Sequence, residues 1–334
     1  TFDIFQRDNK DILGPGLDFP DMFGASAPQT NNARMRNRGW ELSLNWRGKI
    51  GNDINYSVGG SLSDATAEVT EYANPTGTNP AGNWYVGRKV GEIWGYRAEG
   101  IIQTQAEADE YNKYDLSYLS GKAWEPGDVK YVDLNGDKAI NRGKNTLEDM
   151  GDMTIIGNTT PRYQYTFNGS ISWKDLSLSM MFQGVGKRDW DPGTAPYFWG
   201  SGAYAQVTVF NEHMDYWRED NPNAYYPKPY IHSAGGVTPF RNKIMQTSDR
   251  YLQSGAYCRL KNITLSYNLP SSWTQRVGLQ KVQVFFSGEN LLTFTSLKGM
   301  FDPEAIFTGN SYTSEGGKNY PMNKVVSFGL VVNL

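Results

Sequence analysis

Strict alternation of apolar and polar residues along long, uninterrupted runs is the feature that most narrows what this chain can fold into. In GWELSLNWRG, residues 39–48, Trp40, Leu42, Leu44 and Trp46 point one way while Glu41, Ser43, Asn45 and Arg47 point the other. A turn with Gly51, Asn52 and Asp53 follows, and INYSVGGSL then sets Ile54, Tyr56, Val58, Gly60 and Leu62 on one face. RYQYTFNGSISW repeats the pattern with Tyr163, Tyr165, Phe167, Gly169, Ile171 and Trp173, and Lys174 and Asp175 turn the chain into LSLSMMFQGVG. The same period recurs at 263–269, at 281–288 and at the end, where Val326, Phe328, Leu330, Val332 and Leu334 form one set. A period of two is the signature of a strand with two unlike faces. The fold class is therefore all-β.

Strand length and loop size sharpen that class. Runs of about 9–11 residues with aromatics near their ends match a strand that spans an outer membrane. A soluble β-sandwich alternates too, but its strands are usually shorter, about 5–6 residues. Short turns near 49–53 and 174–175 and a link at 270–279 alternate with long segments at roughly 13–35, 66–160, 189–250 and 292–321. A compact soluble domain seldom carries so much loop. An up-and-down transmembrane antiparallel barrel, with short periplasmic turns and long extracellular loops, does. A mean hydropathy of −0.58 fits this reading, because only alternate residues of such a strand need be apolar.

Charge and composition remove several functions. The formal net charge is −3, and the 32 Lys and Arg are scattered without a basic run, which argues against a nucleic-acid partner. Cys258 is alone, so the chain holds no disulfide within itself. His213 and His232 are its two histidines, too few for a multi-histidine zinc site, and no catalytic constellation stands out. The chain reads as a non-enzyme.

Five blocks go beyond periodicity: NRGWELSLNWRG, GNTTPRYQYTFNGSISW, DYWREDNPNAYYPKPY, YCRLKNITLSYNLP and VFFSGENLLTFTSLKGMFDPE. In this order they resemble the SusC/RagA family of TonB-dependent outer-membrane transporters of the Bacteroidota. The resemblance covers essentially residues 1–334, yet corresponds to roughly the C-terminal third of such a transporter. Signal peptide, TonB box, plug domain and first strands are not among these residues. It implies the last strands of a 22-stranded plugged barrel, an outer-membrane location, and import of oligosaccharides, or of peptides in the RagA-like branch. It further implies a SusD-like lipoprotein as lid, the TonB complex acting through the plug, and the remaining barrel and plug polypeptide as partners. Two other readings stay open: a soluble or surface-attached β-sandwich that binds glycans, and a TonB-dependent receptor for siderophores or cobalamin.

Two segments carry candidate sites. In YVDLNGDKAIN, Asp133, Asn135 and Asp137 stand at alternate positions around Gly136, the opening of a calcium loop, with the carbonyl near Ala139 as a fourth ligand. The twelfth position is Lys144, so Glu148, Asp149 or Asp152 would have to close a longer loop. The segment reads either as a structural Ca2+ site or as an Asn/Asp/Gly turn that needs no metal. In DWDPGTAPYFWGSGAY, residues 189–204, Trp190, Tyr197, Phe198 and Trp199 read either as flat platforms for ligand rings or as rings that pack the loops together. For Tyr216 and Trp217 in the next block, packing is the expectation. Inward-facing Glu41, Arg47, Gln164 and Asn168 are expected to line the lumen.

Overall fold

The computed structural model describes residues 1–14, 28–74, 76–193, 195–200, 209–230, 242–306 and 319–333. The part of the 189–204 block at residues 194 and 201–204, and Leu334 of the last strand, lie outside the described residues. Strands follow in the order β1 (Phe2–Gly14), β2 (Thr30–Ile50), β3 (Ile54–Glu71), β4 (Glu92–Tyr96), β5 (Ala98–Ile101), β6 (Val129–Tyr131) and β7 (Met153–Asn158). Then come β8 (Arg162–Trp173), β9 (Leu176–Lys187), β10 (Asp189–Trp190), β11 (Gln253–Ser254), β12 (Tyr257–Asn268), β13 (Lys281–Thr295) and β14 (Val325–Asn333).

Eight of these make one antiparallel wall in the order β1-β2-β3-β8-β9-β12-β13-β14, and the other six pair off as three two-stranded ribbons. Each wall strand thus neighbours the wall strand before it, the up-and-down order expected from the alternating turns. Within this chain the sheet is open, with β1 and β14 each paired on one side. No second sheet of wall size faces it among the described residues, so the two-layer sandwich is not what forms.

Register explains the two faces. One row runs Tyr56, Ile171, Leu178, Leu265, Phe286 and Phe328 across six adjacent strands. The row one residue away runs Ser57, Ser170, Ser179, Thr264, Ser287 and Ser327. Neighbouring rows project to opposite sides of a pleated sheet, so one face is a continuous apolar band and the other is lined with hydroxyls. On the second face the hydroxyls meet across strands, Ser57 Oγ to Ser170 Oγ at 2.9 Å for example. The apolar face leaves large side chains uncovered: Leu44, Trp46, Phe328 and Leu330 are each 60% exposed or more. Trp46, Tyr56, Trp173 and Tyr267 gather near the short-turn rim, and Trp46 Nε1 donates to Tyr56 Oη at 3.3 Å.

Several strands outrun the length expected from periodicity: β2 has 21 residues and β3 has 18. Their extra turns of pleat are polar. Arg36 and Arg38 pair opposite Glu68 and Thr66 beyond the apolar rows, and Arg36 Nε donates to Asp8 Oδ1 at 2.7 Å. Parts of the segments expected to be loop at 30–35 and 66–71 are therefore strand, continued past the apolar band as hydrogen-bonded hairpin.

The hydrophobic core lies in the long connections and not between sheets. Tyr96, Trp124, Tyr131 and Ile140 from the connection after β3 are buried with Phe198, Tyr226, Ile244 and Tyr251 from that after β9. Leu297, Phe301 and Ile306 from the connection after β13 complete the same cluster. All three leave the wall at the rim opposite the short turns, so one packed body sits over that end. Burying such rings supplies the driving force that a two-faced wall, with no partner layer, lacks.

Candidate functional site

The packed connections and the hydroxyl face beneath them form the candidate site. Of the four candidate ring residues, three are core. Trp190 is 5% exposed, Phe198 0% and Trp199 7%. Phe198 lies between Trp190, Tyr226, Tyr251 and Phe301, with Phe301 stacked at 6.3 Å and Trp190 edge-on at 6.3 Å. Trp199 meets Tyr251 at 4.7 Å, and its Nε1 donates to Gly193 O at 2.7 Å. Phe198 and Trp190 therefore cannot offer flat faces to a ligand. Rings that look alike in sequence found a better partner in each other. Tyr197 keeps an exposed face, 38% accessible, stacked on Phe210 at 6.1 Å.

The Asp/Asn loop closes on itself. Asp133 accepts from Gly136 N at 2.7 Å and Lys138 N at 2.9 Å, and Asp137 accepts from Ala139 N at 2.8 Å. Asn135 Oδ1 accepts from Asp137 N at 3.1 Å. Lys138 takes φ +61°, the left-handed conformation that a glycine would adopt at less cost. The residue that ties the loop down is Asp152, fully buried, whose two oxygens accept from Leu134 N and Asn141 N at 2.8 Å each. Burial pushes its carboxyl up in pKa against the pull of those amides, and Asp133 and Asp137 push the same way as burial. Glu148 points to solvent, and Asp149 accepts from Gly151 N at 3.2 Å. Among the described residues no three His, Cys, Asp or Glu side chains are grouped so as to hold a metal ion. Asp133, Asn135, Asp137 and Asp149 thus hold backbone amides in interlocked Asx turns, with Ala139 donating into them and Glu148 exposed.

On the hydroxyl face, charge joins wall to loop. Arg259 of β12 is 3% exposed and meets Asp302 at 2.8 Å and Glu304 at 3.2 Å, while Lys261 meets Glu304 at 3.0 Å. Asp302 also accepts from Glu304 N at 2.9 Å and Met322 N at 3.0 Å. Burial raises the Asp302 carboxyl, but those amides and the Arg259 guanidinium outweigh it and leave the pKa below the usual carboxylate range. Beside this clamp lies a polar cavity of about 320 Å³ lined by Ser63, Gln164, Gln183, Arg188, Tyr257 and Glu304. Gln164 faces it as expected. Arg259 was hidden in the sequence because alternation from Ile263 would place it on the apolar face. A bulge between Leu260 and Asn262 turns it inward.

Comparison with known proteins places this architecture. No family model matches the chain. TonB-dependent receptor P3 of Formosa agariphila is 28% identical over 325 residues, covering 93% of this chain and 29% of that protein. TonB-dependent receptor P26 of the same organism is 25% identical over 328 residues, covering 94% of this chain and 30% of that protein. Among solved structures, the RagAB peptide transporter aligns over 99% of this chain and 33% of its own, at 22% identity and TM-score 0.62. The open-open state of the RagAB peptide importer aligns over the whole chain with TM-score 0.65. The chain spans about a third of the length of the proteins it matches. The resemblance read from the five sequence blocks is borne out: along nearly its whole length this chain is similar to TonB-dependent receptors, with the fold of the corresponding part of a SusC/RagA-type transporter.

Proposed function

We propose that the chain forms the C-terminal wall strands and extracellular loops of an outer-membrane, TonB-dependent importer of the SusC/RagA kind. The observation that carries this reading is the pair of adjacent rows, six apolar residues beside six hydroxyls, held in register across one open antiparallel sheet. The apolar rows face lipid and the hydroxyl rows face a watery lumen, the arrangement of a transmembrane barrel. Among the described residues no helix is long and apolar enough to cross a membrane. The remaining strands, supplied by the rest of the polypeptide, close the wall between β14 and β1 into a 22-stranded barrel around a plug.

In this reading the packed connections form the mouth of the importer. A SusD-like lipoprotein covers that mouth, and the TonB complex supplies energy through the plug. The cargo is an oligosaccharide or a peptide; the RagAB neighbours, which are peptide importers, support the second. No bond of the cargo is broken by this part of the protein. Its task is to hold a polar passage open, and the Arg259–Asp302–Glu304 clamp fixes one loop against the wall of that passage.

The test is cysteine scanning of the intact protein in its own membrane. Single cysteines at 56, 58 and 171 should react with a lipid-phase reagent, and those at 57, 59 and 170 with a water-soluble one. Equal reaction of both sets with the water-soluble reagent, with the protein staying soluble without detergent, would sink the reading.

A further inference from the structure

Two cavities lie one above the other along β3, on the apolar face of the wall. The lower, of about 480 Å³, is a notch in that face. Its floor is Gly60, which offers no side chain between its strand neighbours Leu44 and Phe167. Trp46 and Val58 bound the notch on the short-turn side and Leu62 on the other. Leu44, Trp46, Val58 and Phe167 are all exposed, so the notch is open and apolar.

The upper cavity, of about 510 Å³, has the size of a cleft that takes a whole small molecule. Thr66 in its lining fixes the face: no register shift separates it from Leu62 and Val58, so all three project to one side of the sheet. Here the surroundings turn ionic, and Lys89, Arg162 and Lys187 border the cavity. Two hydrogen bonds hold Arg162 over Asp64, the buried residue between Leu62 and Thr66 on this face. Lys89 and Lys187 are exposed, and among the described residues neither ammonium enters an ion pair. The two carboxylates of the lining are turned to protein donors. Glu92 accepts from Lys89 N at 2.9 Å and from Tyr85 Oη at 2.6 Å, and Asp189 accepts from Asn158 N at 2.9 Å. Two unmatched cations thus stand directly above the apolar notch.

We propose that the two cavities together hold one phosphate-bearing lipid of the outer leaflet, its phosphate in the upper cavity with Lys89, Arg162 and Lys187, and an acyl chain in the Gly60 notch. A free anion would use the upper cavity and leave the notch bare. An uncharged chain would fill the notch and leave the ammonium groups unmatched. An anionic amphiphile matches both. The spacing agrees: six residues from Gly60 to Thr66 span about 20 Å of strand, which at a tilt of about 40° is a depth of about 15 Å, half of a ~30 Å hydrocarbon core. The polar end also points the right way, since the upper cavity lies toward the long connections and away from the short turns. The inference rests on the reading that the apolar rows face lipid, and adds to it a site for one lipid molecule on the outside of the wall.

The experiment titrates the intact protein in dodecyl maltoside with dipalmitoyl phosphatidic acid or dipalmitoyl glycerol and counts bound lipid by native mass spectrometry. The phosphatidic acid should bind with the higher affinity, and excess inorganic phosphate should not displace it. The double variant Lys89→Gln, Lys187→Gln should weaken it by about thirtyfold, as the loss of two basic residues at a lipid headgroup predicts, and leave dipalmitoyl glycerol unaffected. Gly60→Leu should fill the notch and weaken both lipids; if that variant does not assemble, Leu44→Trp at the exposed edge of the notch fills it instead. Equal affinity for the two lipids, displacement by inorganic phosphate, or unchanged binding in the lysine or the notch variant would each overturn the assignment. Labelling of a single cysteine at position 171 tests the underlying reading separately. Lipid-phase labelling there with no preference for phosphatidic acid removes only the lipid site. Water-phase labelling there removes the membrane wall itself, and the lipid site with it.

Discussion

Lys243 Nζ stands 2.6 Å from Asp128 Oδ2, with both side chains completely buried, and so pins the connection after β9 to the connection after β3. Asp128 also accepts from Tyr230 Oη and from Glu125 N, and Lys243 donates to Ala123 O at 2.7 Å. Its ammonium lies 4.8 Å from the centroid of the Tyr230 ring. Burial pushes the Asp128 carboxyl up, and the ammonium beside it pulls it back, so the carboxylate depends on Lys243 for its charge.

Removing one partner of such a pair strands the other. Lys243→Met should destabilise the packed connections by about 3–5 kcal/mol, whereas the double variant Lys243→Met, Asp128→Leu should recover most of that loss. Hydrogen exchange at Val129 and Tyr131 in the intact protein measures both. Equal damage in single and double variants would show that the charges themselves hold the loops together.

The clamp on the hydroxyl face should respond to acid. A carboxyl whose pKa is depressed on folding contributes stability above its unfolded pKa and loses it as pH falls through the folded value. Asp302 is such a group, because the Glu304 and Met322 amides and Arg259 outweigh its burial. Between neutrality and the ordinary carboxylate range the 296–306 segment should stay fixed to β12; below it the segment should release. Protease sensitivity near Lys298 as a function of pH reads this, and Asp302→Asn should show the released behaviour already at pH 7.

His213 gives an opposite-signed group with the same consequence. Its pKa is lowered on folding, so the unfolded form binds the proton first, and stability falls as pH drops below about 6.5, the unperturbed value. Glu212 and Lys298 both act on the ring and oppose each other. Exchange at the Phe210 amide, which donates to Nδ1, should accelerate between pH 7 and pH 5.5. Constant protection over that range would mean that the imidazole stays neutral throughout.

For the Asp/Asn loop, the important residue is the buried one. Asp152→Ala should release the Leu134 and Asn141 amides at a cost of about 2–4 kcal/mol, while Glu148→Ala should be silent. Adding a chelator should leave exchange at those two amides unchanged, because a protein carboxylate is what holds them. Faster exchange with chelator would restore the cation to this loop.

On the wall, Val58→Arg should cost about 2–4 kcal/mol of membrane stability, and Ser57→Arg should cost little. The two positions differ by one residue and by the face they occupy. The yield of assembled protein in the outer membrane measures the contrast.

How far each feature could be read from sequence follows from what each needs. The wall was legible because a sheet without a covering layer writes its two environments into every second residue. GWELSLNWRG and RYQYTFNGSISW fall inside β2 and β8 with the faces expected. The upper reaches of β2 and β3 were not, since polar strand and polar loop share a composition. Arg259 was missed because one bulged residue reverses the alternation around it. Trp190, Phe198 and Trp199 show a different limit. An aromatic ring is equally suited to a core or to a binding surface, and only the arrival of Phe301 and Tyr251 from other connections decides between them.

In the importer reading, the shared core of the three connections sets the unit in which selectivity can be exchanged between relatives. Phe301 of the connection after β13 packs on Trp190 and Phe198 of the connection after β9, and Lys243 of the latter neutralises Asp128 of the connection after β3. A chimera that grafts a single loop from a relative leaves an unmatched ring surface or a buried lone charge behind. In that reading, cargo range should diversify by swapping the whole mouth at once.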